Sequence, residues 1–127
     1  MRAAIAIWQD RISPVFDVSR KMIVLDIENH IVAKQSVETF ENDHPMDRVA
    51  KLKKLHIETL ICGAISNPLS EMITLQDIDT ISFTCGPVQD VINAFLKDAL
   101  PNQKLSMPGC CGFRKRVREK ALIKKQL

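Results

Sequence analysis

Met22-Ile23-Val24-Leu25-Asp26-Ile27-Glu28-Asn29-His30-Ile31-Val32 decides the fold. Met22 to Glu28 and Ile31 to Phe40 are both rich in Ile and Val, and only Asn29-His30 separates them. So short a polar connection predicts an antiparallel hairpin. Ahead of it, Ala3 to Trp8 is almost wholly apolar, as expected of a strand covered on both faces. Gln9 to Val18 is the loop between them. Behind the hairpin the period changes to that of a helix. Asn42 or Asp43 is its expected cap and Pro45 lies in its first turn, with Met46, Val49, Ala50, Leu52 and Leu55 on one side and Lys51, Lys53 and Lys54 facing solvent. Thr59 to Cys62 is a brief buried strand ended by Gly63. Asn67-Pro68 caps and opens a second helix, and Asp79 to Thr84 is the fifth strand. Gly86-Pro87 starts a third helix, whose stripe of Val88, Val91, Ile92, Phe95, Leu96 and Ala99 runs to Pro101-Asn102. The order β-β-β-α-β-α-β-α predicts an α/β domain: a five-stranded mixed sheet with helices covering it.

A chain of 127 residues can bury one modest core. Hydrophobic residues at 46% and charged ones at 26% exclude wholesale disorder. With five Phe, one Trp and no Tyr, that core must be built from aliphatic side chains. No apolar run approaches the ~20 residues that span a bilayer, and Gln9-Asp10-Arg11 cuts the first apolar stretch too short for a signal peptide. A soluble, cytoplasmic protein without membrane contact is expected, its four cysteines being reduced thiols or metal ligands. Charge divides the chain unevenly. Residues 113–127 carry seven basic side chains against Glu119, a net of +6, so the overall +3 leaves −3 for the remaining 112 residues. A mildly acidic body makes nucleic acid an unlikely partner. The expected organisation is a domain over residues 1–105 and a basic tail, containing two cysteines, over 106–127.

Three stretches carry a family resemblance. They are Ile12-Ser13-Pro14-Val15-Phe16-Asp17-Val18, Leu60-Ile61-Cys62-Gly63-Ala64-Ile65 and Met107-Pro108-Gly109-Cys110-Cys111-Gly112. Together with the element order they resemble the dinitrogenase iron–molybdenum cofactor biosynthesis family, which includes small stand-alone proteins. The likeness spans roughly residues 1–112. It implies a ribonuclease-H-like three-layer α/β/α domain that binds or carries an iron–sulfur or molybdenum-containing cluster and is not an enzyme. Where the nitrogenase-associated branch commonly has His-Phe-Gly, this chain has Val15-Phe16-Asp17. The missing imidazole points to a different cluster.

Several residues could form the site. Thiolates are preferred ligands for iron–sulfur clusters, so Cys110 and Cys111, between Gly109 and Gly112, lead the candidates. Arg114, Lys115 and Arg116 would lower their pKa values. Two adjacent thiols cannot supply four ligands. Cys62 and Cys85 each stand at a strand end before a glycine, where ligands gather in open α/β sheets. Against that, free cysteine is among the most buried residue types. His44, in a polar connection before a helix, is the best-placed histidine, although such a histidine is usually only solvated. Ser13, Phe16 and Asp17 would border the same crevice. Gly63, Asn67 and Gly86 would line it, with helix N-termini offering backbone N–H groups to an anion. The tail could fold back to complete the site.

The expected function is a non-catalytic binder or carrier of an iron–sulfur or iron/molybdenum–sulfur cluster, working with a cluster-donor or acceptor protein. The alternative is a regulatory or interaction module of the same fold without a cluster. A two-metal nuclease needs carboxylates on the sheet, normally one on the first strand, and Ala3 to Trp8 has none.

Overall fold

The computed structural model describes residues 1–107. Their elements, in order, are β1 (Arg2–Trp8), β2 (Arg11–Ile12), β3 (Lys21–Glu28), β4 (Ile31–Thr39), α1 (Pro45–Lys54), β5 (Thr59–Ile61), α2 (Asn67–Leu75), β6 (Asp79–Ile81) and α3 (Val88–Leu96). The sheet runs β4-β3-β1-β5-β6, with β2 attached to β1. β1 is antiparallel to β3 and parallel to β5, so the hairpin and the βα units meet on it. This is a mixed α/β sheet of six strands rather than the five expected. The extra strand forms because the chain turns back at Gln9, whose φ is +59°, and pairs Ile7 with Ile12 and Trp8 with Arg11. Two residues followed by Ser13-Pro14 show no alternation, so the sequence pattern passes over them.

Alternation along β1 and β3 feeds two cores. Ala4, Ala6, Met22 and Val24 face α1 and α2, where they meet Val49, Leu52, Leu69 and Ile73. Ala3, Ile5, Ile23 and Leu25 face the opposite way and pack on Val88, Val91 and Ile92 of α3. Both faces of the inner strands are therefore covered, which explains why Ala3 to Trp8 carries almost no polar residue. Each fully buried Leu or Ile contributes about 1.5–3 kcal/mol. β4 differs: Ala33 to Val37 are all exposed.

α1 corrects the expected helical face. Met46 is 74% exposed, whereas Arg48 is 1% exposed and sits with Val49 and Leu52 on the inner side. Neither expected cap serves. His44 holds the N-cap position, and the Asp43 carboxylate turns instead to Arg48 and Arg20, at 3.2 and 3.1 Å.

All three helices end alike. His56, Asp77 and Asp98 follow the C-caps with φ of +58°, +61° and +54°. The next N–H then reaches back into the helix: Ile57 to the carbonyl of Leu52, Ile78 to Ile73 and Ala99 to Ala94. Such closures usually use glycine in the left-handed position. α3 thus stops at Leu96, before the expected end at Pro101.

Candidate functional site

The first two stretches named for the resemblance form one seam beyond the carboxyl end of β1 and β5. Ser13 donates its N–H to the Ala6 carbonyl, and Ile12 donates to Gly86. Ala64 then donates to Pro14, and Phe16 to Ala64, both at 2.8 Å. Gly63 lies under this seam. A Cβ there would come within 2.5 Å of the Ser13 and Pro14 carbonyl oxygens, so only glycine lets the two loops approach. The space expected to be a crevice at this point is filled by backbone.

Phe16 is fully buried and meets Phe40 edge-on at 5.6 Å. Arg48 is the residue that the sequence reasoning missed. Its guanidinium lies 4.6 Å from the Phe40 ring centre and 5.6 Å from that of Phe16. It donates to the Phe16 carbonyl at 2.9 Å and to the Ser19 carbonyl at 2.7 Å, with Asp43 alongside. Burial lowers its pKa, and the Asp43 carboxylate opposes that shift. A single arginine therefore ties residues 16–19 to α1. A basic residue at an inward position of the helical period, Arg48 beside Val49 and Leu52, was the available signal.

Asp17 accepts the Ser66 N–H at 2.9 Å. Ser66 is the N-cap of α2, so Asn67 is the first helical residue and not the cap. The chain's own carboxylate thus occupies part of the helix N-terminus that was expected to greet a foreign anion. Asn67 itself is exposed. The buried Ser13 hydroxyl points to the Val15 carbonyl at 3.5 Å.

Cys62 is fully buried in the core shared with α1 and α2. Burial, and secondarily the Asp17 charge, push its thiol far above the usual range. Cys85 is half-buried beyond β6, and its N–H bonds to the Leu105 carbonyl. Gly86 has φ +114°, a conformation that glycine alone adopts freely. Thr84 bridges antiparallel to Ser106, and Met107 donates to Phe83, so residues 105–107 run along the loop holding Cys85. Phe83 is held at φ +57°, a left-handed conformation that costs about 1–3 kcal/mol for such a residue.

His44 is exposed at the start of α1, behind β4, whereas Cys85 follows β6 at the other edge of the sheet. These two are not brought together. Among the described residues no group of three or more His, Cys, Asp and Glu side chains is placed to hold a metal ion. Cys110 and Cys111 lie outside the described residues. No described helix is long and apolar enough to cross a membrane.

Beside the seam is a cleft of about 640 Å³, bordered by Trp8, Ser13, Val15, Val18, Arg20 and Lys21 among others. Trp8 and Val18 are each 56% exposed. The site as built is a hydrogen-bonded double loop with a half-buried thiol at one side and an apolar, cation-edged cleft at the other.

No protein-family model matches the chain, and no curated protein matches it. Solved structures do. The crystal structure of PH0822 is 24% identical, with 86% of this chain and 96% of that one covered at a TM-score of 0.75. A provisionally named dinitrogenase from Methanocaldococcus jannaschii is 19% identical, covering 78% and 90% at 0.66. A provisionally named NifB protein from Thermotoga is 22% identical, covering 77% and 89% at 0.61. At these identities the likeness is one of fold: this chain has the same α/β fold as those three proteins.

Proposed function

We propose that this protein is a non-catalytic binder or carrier of an iron–sulfur or mixed-metal cluster, acting in the assembly or delivery of a metal cofactor in the cytoplasm. The names of the M. jannaschii and Thermotoga proteins support a nitrogenase-cofactor theme. The strand order, with helices on both faces, supports the ribonuclease-H-like reading of the fold. One observation carries the reading. Residues 105–107 are laid along the Cys85 loop, and Met107 stands three residues before Cys110 in the sequence. In this proposal Cys85, Cys110 and Cys111 supply the thiolates, Cys62 stays in the core, and the cluster is cargo passed to an acceptor protein.

Anaerobic reconstitution with iron and sulfide tests it. The protein should become coloured and hold both in stoichiometric amounts, and Cys110→Ser with Cys111→Ser should abolish the colour. A protein that stays colourless and metal-free refutes the reading. The exposed Trp8 and Val18 beside the cleft favour a second reading, an interaction module without a cluster. That reading predicts tight binding of a protein partner, unchanged when all four cysteines are replaced.

A further inference from the structure

β4 is an edge strand of nine residues, the last in the sheet order, and among the described residues only β3 lies beside it. Phe40 donates its N–H to Arg20 across the ladder, and the antiparallel alternation then turns the N–H and C=O groups of Gln35 and Val37 away from β3. The Thr39 carbonyl also points outward, where the Lys51 ammonium takes it. Among the described residues the outward N–H and C=O groups of Gln35 and Val37 have no partner, and such groups are a template for another strand. The side chains invite the same conclusion, since residues 33–37 are exposed on both faces and Val37 is 56% exposed.

We propose that β4 pairs antiparallel with β4 of a second copy of this chain, in the register that centres Ser36 on Ser36 of the partner. Self-pairing about a two-fold axis permits only a few registers, and charge selects among them. With Ser36 at the centre, Lys34 stands directly across from Glu38 of the other copy, twice by symmetry. The same register sets Gln35 opposite Val37, which exchange the free N–H and C=O groups, and makes the two Val37 side chains diagonal neighbours. Moving the centre by one residue sets Lys34 against Ser36 or Phe40 and leaves neither charge with a partner across the interface. Among the described residues the Lys34 ammonium has no ion pair, because Asp26 opposite it is committed to Arg2 at 2.6 Å. Glu38 is held in place by Lys51 at 3.7 Å. The irregularity of the hairpin, between Asp26 and Ile27, lies beyond the paired segment and leaves residues 34–39 in regular register.

Light scattering coupled to gel filtration, at about 100 µM and low salt, should give twice the monomer mass of 14.4 kDa. Lys34→Glu and Glu38→Lys should each weaken association at least tenfold, because each sets like charges across the interface twice. The double variant should restore the dimer. Circular dichroism checks that all three keep the fold, as expected for an exposed Lys34 and a Glu38 whose side chain is 34% exposed. A wild-type monomer at this concentration overturns the proposal, and so does a dimer indifferent to the single substitutions. Cluster binding is not needed for either result.

Discussion

Arg48→Ala takes the guanidinium out of the junction between α1 and residues 16–19. The loss can be worked contact by contact. The Phe16 carbonyl keeps two donors, the N–H and hydroxyl of Ser19, at 3.1 and 2.9 Å. The Ser19 carbonyl loses its 2.7 Å partner inside a residue that is 4% exposed, and an orphaned buried acceptor costs about 1–3 kcal/mol. The cation between the Phe16 and Phe40 rings contributes about 0.5–2 kcal/mol, and the buried methylenes about 0.8 each. Against this stands the desolvation of the charge, which lowers the arginine's pKa and is relieved by the substitution. A net loss of about 3 kcal/mol remains, a large share of the stability of a small domain. Urea denaturation of wild type, Arg48→Ala and Arg48→Met would measure it. Arg48→Met retains the stem and should lose about 1–2 kcal/mol through the unpaired Ser19 carbonyl. A loss below about 1 kcal/mol for Arg48→Ala, or none for Arg48→Met, would refute the idea that this arginine ties the loop down.

Gly63→Ala should cost about 2–3 kcal/mol, because its Cβ meets backbone oxygens 2.5 Å away that no rotamer change can move; an unchanged denaturation midpoint would show that the seam is looser than described. Cys62 links stability to alkaline pH. The native thiol holds its proton while the unfolded one ionises near its ordinary value of 9.0, so its contribution is complete below that pH. Above it, up to about 1.4 kcal/mol should be lost per pH unit, and Cys62→Val should show a shallower fall between pH 9 and 10.5 than wild type. Finally, His56→Gly, Asp77→Gly and Asp98→Gly should each stabilise by about 0.5–1 kcal/mol. Removing a left-handed cost of about 1–2 kcal/mol outweighs the entropy added to the unfolded chain. The three sites are separate, so the gains should add in one triple variant followed by thermal unfolding.

The sequence by itself determined the hairpin of β3 and β4, the three helices and the α/β class. Those features rest on local facts: a two-residue polar break, a change of period, and proline in the first turn. It also located the residues of the seam, since Ser13-Pro14 and Cys62-Gly63-Ala64 were singled out together. Their role was decided only by the tertiary structure. Gly63 reads as the rim of a crevice until Pro14 is found lying on it, and Asp17 as a loop residue until it caps α2. Cys62 reads as a ligand until its burial raises the thiol. Arg48 is the clearest case. A helical period marks position 48 as inward but does not say what receives a cation there: a pair of carbonyls and two rings, eight or more residues away along the chain. Periodicity reports which side of a helix is apolar on average. Contacts distant in sequence decide which atoms are satisfied there, and those exist only once the sheet has brought α1 and the loop together.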